Sequence, residues 1–185
     1  MFSDGVIAII ITLMIIEIKV PALDANHIIN FIRHIGVYAM SFTVLAIMWL
    51  NHHQMFRSIE KINIRIIWLN FLLFFMSLIP LPTQALGANF YAKESHLFYG
   101  IILTATAISY SWLQTVINKN SEYMPAANIK AINRLNWLSS AVYALSIPLS
   151  FISIYLSLFI FVLIPIIFFI PLIFFIPSRK IAQQL

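Results

Sequence analysis

The stretch Phe2-Ser3-Asp4-Gly5-Val6-Ile7-Ala8-Ile9-Ile10-Ile11-Thr12-Leu13-Met14-Ile15-Ile16-Glu17 limits the fold more than any other part of the chain. A Ser-Asp pair heads an apolar run that contains a single hydroxyl, Thr12, and is long enough to cross most of a bilayer. An unpaired carboxylate in hydrocarbon costs several kcal/mol. Asp4 therefore belongs at an interface, in a polar network walled by protein, or beside water. All three placements require a membrane protein with a polar interior, and the third suggests a pore.

The rest of the chain agrees with lipid as its solvent. Only 9% of its 185 residues are charged and 62% are hydrophobic, whereas a soluble domain carries about 25% charged residues. Without cysteine there are no disulfides and no thiolate metal sites. The N-terminal run has no basic leader and carries Asp4 and Glu17, so it reads as a mature helix rather than a cleaved signal.

Hydropathy divides residues 1–185 into one domain of six spans. The first runs from Phe2 to Ile18 and is closed by Pro21. The others run from Ile28 to about Trp49, Ile64 to Leu81, His96 to Ile117, Leu135 to Ile154 and Leu156 to Ile176. No charge or glycine separates the last two, so a tight turn is expected near Ser153–Ser157, with kinks at Pro148, Pro165 and Pro171. With both termini cytoplasmic, Arg57, Lys61, Arg65, Lys119, Lys130, Arg134, Arg179 and Lys180 lie inside. Only Lys19, Arg33 and Lys93 then lie outside, which is the asymmetry that the positive-inside rule requires.

Several side chains are candidates for function. Ile9, Leu13 and Ile16 recur at helical spacing with Thr12 beside them. Spacing leaves two readings open. They are lipid-facing or packing positions, as in any spanning helix, or they form a narrow apolar ring that gates by dewetting, next to hydroxyls for a dehydrating cation. Ser3 and Asp4 suit a helix N-cap, a bond to neighbouring helices, or both. Trp49, His52, His53 and Phe56 cluster at one end of the second span. Adjacent histidines diverge on a helix, and no Glu or Cys stands at ligand spacing, so no metal site is expected there. Asn70 lies in an apolar stretch and needs a partner on another helix. His27, Asn30, Arg33 and His34 line an outer vestibule or sit at headgroup level, and Glu17 and Asp24 ring the mouth or are solvated. The hydroxyls Thr104, Thr106, Ser109, Ser111 and Thr115, with Gln114, suit helix packing in lipid. The uncharged, Phe-rich sixth span reads as lipid-exposed.

The chain has no Thr-Val-Gly-Tyr-Gly filter, no arginine ladder, no phosphate-binding loop, no nucleophile elbow and no His-Glu-x-x-His. Neither an enzyme nor a nucleic-acid binder is expected, and no cofactor.

Phe2-Ser3-Asp4-Gly5-Val6, followed by Ala8-Ile9 and Thr12-Leu13, resembles the first-helix signature of the transmembrane protein 175 potassium channels. Trp49-Leu50-Asn51-His52-His53-Gln54-Met55-Phe56 is similar to the ending of that family's second helix. Leu69-Asn70-Phe71-Leu72-Leu73, then Pro80-Leu81-Pro82-Thr83, is similar to its third. One element of the pattern, an arginine four residues before the phenylalanine, falls ahead of Met1.

The resemblance implies an all-α homotetramer of six-helix subunits in a prokaryotic plasma membrane, with the first helix around a central pore that passes potassium. It implies a hydrophobic constriction at Ile9, continued by Leu13 and Ile16, with a hydroxyl layer at Thr12. It also implies a structural network joining Phe2, Ser3 and Asp4 to Trp49, His52, His53 and Asn70. Two rivals stand beside it: a proton-coupled small-solute carrier, and a membrane enzyme using His52 and His53 with a metal.

Overall fold

A computed structural model describes residues 2–16, 18, 20, 25–57, 59, 62–119 and 126–174, and they form a bundle of helices with no strand among them. The helices are α1 (Phe2–Ile16), α2 (Ala25–Arg57), α3 (Ile64–Leu73), α4 (Pro80–Ala88), α5 (Lys93–Lys119), α6 (Ala126–Ile152) and α7 (Ile154–Phe174). Four segments are long and apolar enough to cross a membrane: His27–Arg57, Ile64–Ala88, Lys93–Lys119 and Ile129–Ile152. Phe2–Ile16 and Ile154–Phe168 are shorter apolar helices. Six membrane segments were expected; four reach the full crossing length among the described residues, and the first and last are apolar helices in the expected places, α7 running 21 residues.

The third span differs in kind from the sequence reading. It starts where Asn63 caps α3, its side chain accepting from the Ile66 N–H at 2.9 Å. It then tightens into a 3-10 helix over Phe74–Leu78 and restarts as α4 at Pro80, running on to Ala88 rather than ending near Leu81. The cause is local. Pro80 and Pro82 cannot donate to the helical ladder, and proline at a helix start loses nothing, because that N–H has no helical partner. At the other expected weak point, Ser153 alone interrupts the helix between α6 and α7. Pro148 lies inside α6 without ending it.

α5 is the most buried of the long helices. Tyr99, Leu103, Leu113 and Ile117 are core residues, and Thr104, Thr106, Ser109 and Thr115 each donate to the carbonyl one turn back, as Thr104 does to Gly100 and Thr106 to Ile102. Two hydroxyls pack across to α6: Ser111 meets Ser140 at 2.9 Å, and Thr115 accepts from the Trp137 indole at 3.2 Å. A chain of amides extends the seam, from Gln114 to Asn118 (2.9 Å) to Asn133 (2.8 Å). Ser41, Thr83 and Tyr99 form a buried triple hydroxyl contact that joins α2, α4 and α5, each link 2.8 Å. The sequence reading missed this triad, because its members are far apart in the chain and unremarkable singly.

α7 corrects the lipid-exposed reading. Tyr155 and Phe159 face outward, but Ser157, Ile160, Phe161 and Ile164 are buried. Phe161 packs 4.8 Å from the Tyr99 ring, and Ser157 meets His96 Nδ1 at 3.0 Å. A helix can be apolar all round and still have an inner face, which hydropathy cannot locate.

α5 and α6 approach closely at Gly100, where a Cβ would lie 2.8 Å from Ser146 Oγ. That hydroxyl is already engaged with the Tyr143 carbonyl at 2.6 Å. Gly100→Ala should therefore overpack the seam and cost about 1–3 kcal/mol. Thermal unfolding of the detergent-solubilised protein measures this, and an unchanged midpoint would mean that the contact relaxes freely.

Candidate functional site

α1 has two unlike faces. Ser3, Ile7, Ile10 and Met14 are buried against the bundle. Ile9, Leu13 and Ile16 are 58%, 49% and 75% exposed, and Thr12 is exposed with them. Positions 9, 12, 13 and 16 make one stripe along a helix, and the described residues leave it largely uncovered. Thr12 Oγ1 donates to the Ile9 carbonyl at 2.9 Å. Its lone pairs remain available to a cation, since the bond uses only the hydroxyl hydrogen.

The start of α1 is tied to α2 and α3 by two separate clusters. In the buried cluster, Asn70 Nδ2 donates to Ser3 Oγ at 3.0 Å, and His52 Nε2 lies 2.9 Å from Asn70 Oδ1. An amide oxygen only accepts, so His52 carries its hydrogen on Nε2. Its Nδ1 is then a buried acceptor with no partner among the described residues. The His52 ring packs at a tilt against Phe56, 4.5 Å between centres. In the outer cluster, the Trp49 indole N–H donates to Asp4 Oδ1 at 3.0 Å, and His53 Nδ1 stands 3.5 Å from the same oxygen. His53 is exposed and Asp4 about one-third exposed.

Phe2 enters neither cluster. It packs edge-on to Phe74 at 5.8 Å, and Phe74 packs likewise on Phe71. Phe74 was not singled out from sequence; its signal was the run of aromatics that follows Asn70. Six of the seven expected network residues thus meet in two groups, and the seventh finds an aromatic partner in the 3-10 turn.

The charges sort by end. His52–Asn70 pairs the ends of α2 and α3 that carry Arg57 and Arg65, and Asn118–Asn133 pairs the ends of α5 and α6 that carry Lys119, Lys130 and Arg134. Arg33 and Lys93 lie at the opposite end, over the rings of Tyr91 and Phe151. Lys19, Lys61, Arg179 and Lys180, like Glu17 and Asp24, lie outside the described residues. His27, Asn30, Arg33 and His34 line a cavity of their own at the Arg33 end. Among the described residues no three His, Cys, Asp or Glu side chains are grouped to hold a metal ion.

Residues 1–80, which carry both clusters and the exposed stripe, match the family described as endosomal/lysosomal potassium channel TMEM175. A potassium channel of Chryseobacterium sp. (strain P1-3) is 36% identical over 172 residues, covering 90% of this chain and 88% of the relative. A potassium channel of Streptomyces collinus is 33% identical, with coverages of 85% and 83%. The crystal structure of a lysosomal potassium-selective channel TMEM175 homolog from Chamaesiphon minutus superposes with a TM-score of 0.78 at 27% identity, covering 91% of this chain and 93% of that one.

Proposed function

Because the chain belongs to the TMEM175 potassium-channel family, we propose that it conducts potassium passively through a pore built from four copies, with α1 of each copy lining the axis. It is a multi-pass membrane protein, and we assign it to a prokaryotic plasma membrane with both termini cytoplasmic. Ile9 forms the constriction, Leu13 and Ile16 extend the apolar wall, and Thr12 supplies a layer of oxygens.

The observation that carries this reading is the α1 stripe. Ile9, Thr12, Leu13 and Ile16 are left largely open by the described residues, while Ser3 and Asp4 hold the helix at a set rotation. An ion passing a ring of four isoleucines must give up part of its water shell, because the ring offers nothing to replace it. Sodium holds its shell more tightly than potassium, so the ring favours potassium. The hydroxyls beside it return some of that lost coordination. His52, His53 and Asn70 stand outside this path and serve to position α1.

Purified protein in liposomes tests the proposal. A potassium gradient should drive flux that exceeds sodium flux, with resolvable unitary steps in single-channel recording. Saturable flux without unitary steps would fit a proton-coupled solute carrier and would overturn the channel reading.

A further inference from the structure

A second cavity, of about 60 Å3, lies inside the bundle among α2, α5, α6 and α7. It has room for about four to six water-sized groups. Val44, Leu103 and Ile164 are buried in its wall, and Asn51, Asn136 and Tyr143 also line it. Other polar side chains of the wall already donate elsewhere: Thr106 to the Ile102 carbonyl, Tyr110 to Gln114 Oε1 and Ser139 to the Leu135 carbonyl.

Asn136 and Tyr143 differ from these. Each is only 6% exposed, yet neither side chain has a hydrogen-bond partner among the described residues. Nor are their polar atoms sealed in by protein, as His34 Nε2 and His52 Nδ1 are. They open on the cavity. The Asn51 amide, on the α2 wall, also has no partner among the described residues. Buried polar groups are nearly always hydrogen-bonded, so these groups require an occupant that bonds to them.

Contacts along the helices set the heights. Ser111 meets Ser140, and Gly100 abuts Ser146. Tyr143, midway between the two serines, therefore stands level with residues 105–106 of α5. Ser41 meets Tyr99, which puts Asn51 near residue 109 of α5. Asn51 and Tyr143 thus flank the cavity within about one turn of each other. Val44 and Ile164 stand at the height of Leu103, on the side toward Tyr99. Asn136 lies two turns from Tyr143 and gives a polar rim to the end nearest Arg134. Water alone does not suit such a cavity, because each molecule needs two to four polar partners and the Leu103 end offers carbon. A wholly apolar guest leaves the phenol and the amide unmet. One polar group on a short apolar body satisfies both ends.

We propose that this cavity binds a small neutral amphiphile of the aliphatic-alcohol class, its hydroxyl between Asn51 and Tyr143 and its alkyl body against Val44, Leu103 and Ile164. The Tyr143 hydroxyl donates to the alcohol oxygen, and the Asn51 amide oxygen accepts the alcohol hydrogen. The site needs the folded bundle but not a conducting pore, so it is tested by binding rather than by flux.

The full chain in phosphatidylcholine nanodiscs, photolabelled with a diazirine analogue of 1-hexanol, reads the site directly. Labelling should saturate in the peptides that carry residues 44–51 and 136–143, and 1-hexanol should protect them. Tyr143→Phe removes only an unpartnered hydroxyl, so the melting midpoint should hold while protection takes about three- to tenfold more 1-hexanol. Asn51→Leu should act alike. Unchanged protection in both variants would overturn the proposal. So would equal protection by n-hexane, since the hydroxyl would then go unread; this comparison needs no variant and decides the matter should a substitution unfold the bundle. Labelling that does not saturate, or that spreads over the lipid-facing residues, would leave the cavity to water and overturn the alcohol.

Discussion

Ile9→Asn should largely abolish discrimination between potassium and sodium while leaving a conducting protein. The side chain is more than half exposed on α1 and is not part of the buried core, so the substitution disturbs the fold little. Its effect falls on water. An amide attracts water more than an aliphatic chain does by about 1–3 kcal/mol. Every copy in the assembly carries the change, and about 1.4 kcal/mol in total suffices for a tenfold change in relative permeability. A ring of four amides therefore holds water where four isoleucines exclude it, and an ion passes without giving up its shell. The expected result is a relative permeability near unity, measured as the reversal potential under bi-ionic conditions. Wild-type selectivity and current would remove Ile9 from the ion path.

Asn70→Leu should be the most disruptive single change around α1. It removes the partner of Ser3 and of His52, and His52 is only 3% exposed. The His52 Nε2–H is then buried with nothing to bond, at a cost of about 1–3 kcal/mol. Interhelical bonds in membranes fall toward the lower part of that range. A drop in melting midpoint on the order of 5 °C is expected, with loss of assembled protein in size-exclusion chromatography. Asp4→Ala should cost less stability, because His53 is exposed and Asp4 is partly open to water, which replaces some of their bonds. The double variant His52→Phe with Asn70→Leu leaves no orphaned imidazole and should recover much of the midpoint. If Asn70→Leu alone melts like the wild type, the buried cluster does not hold α1.

Much of this was legible from residue order. The membrane class, the helices and the placement of Asp4 at a polar site follow from hydropathy and from the energy of a carboxylate in hydrocarbon. Asn70 could be flagged as a residue needing a partner, because a buried amide must bond. The partner itself could not be read. Ser3 is 67 residues away in the chain, and only packing brings it within 3.0 Å. The 3-10 break before Pro80 was half legible: the prolines were visible, but continuation as α4 to Ala88 depends on Thr83 and Leu86 being buried in the bundle. Apart from Ser157, the apolar α7 carried little sign of which side is inner, since its aliphatic and phenylalanine side chains suit lipid equally.

Sequence alone determined that this chain lives in lipid, that its charge gathers toward the ends of the spans, and that Asp4, His52 and Asn70 require polar company. Those conclusions depend on transfer energies, which belong to single residues. Tertiary structure alone decided that Ile7, Ile10 and Met14 face the core while Ile9, Leu13 and Ile16 face away. Isoleucine is equally at home against protein, against acyl chains or around a pore. Its role is settled by what packs on it, through contacts between segments far apart in the chain.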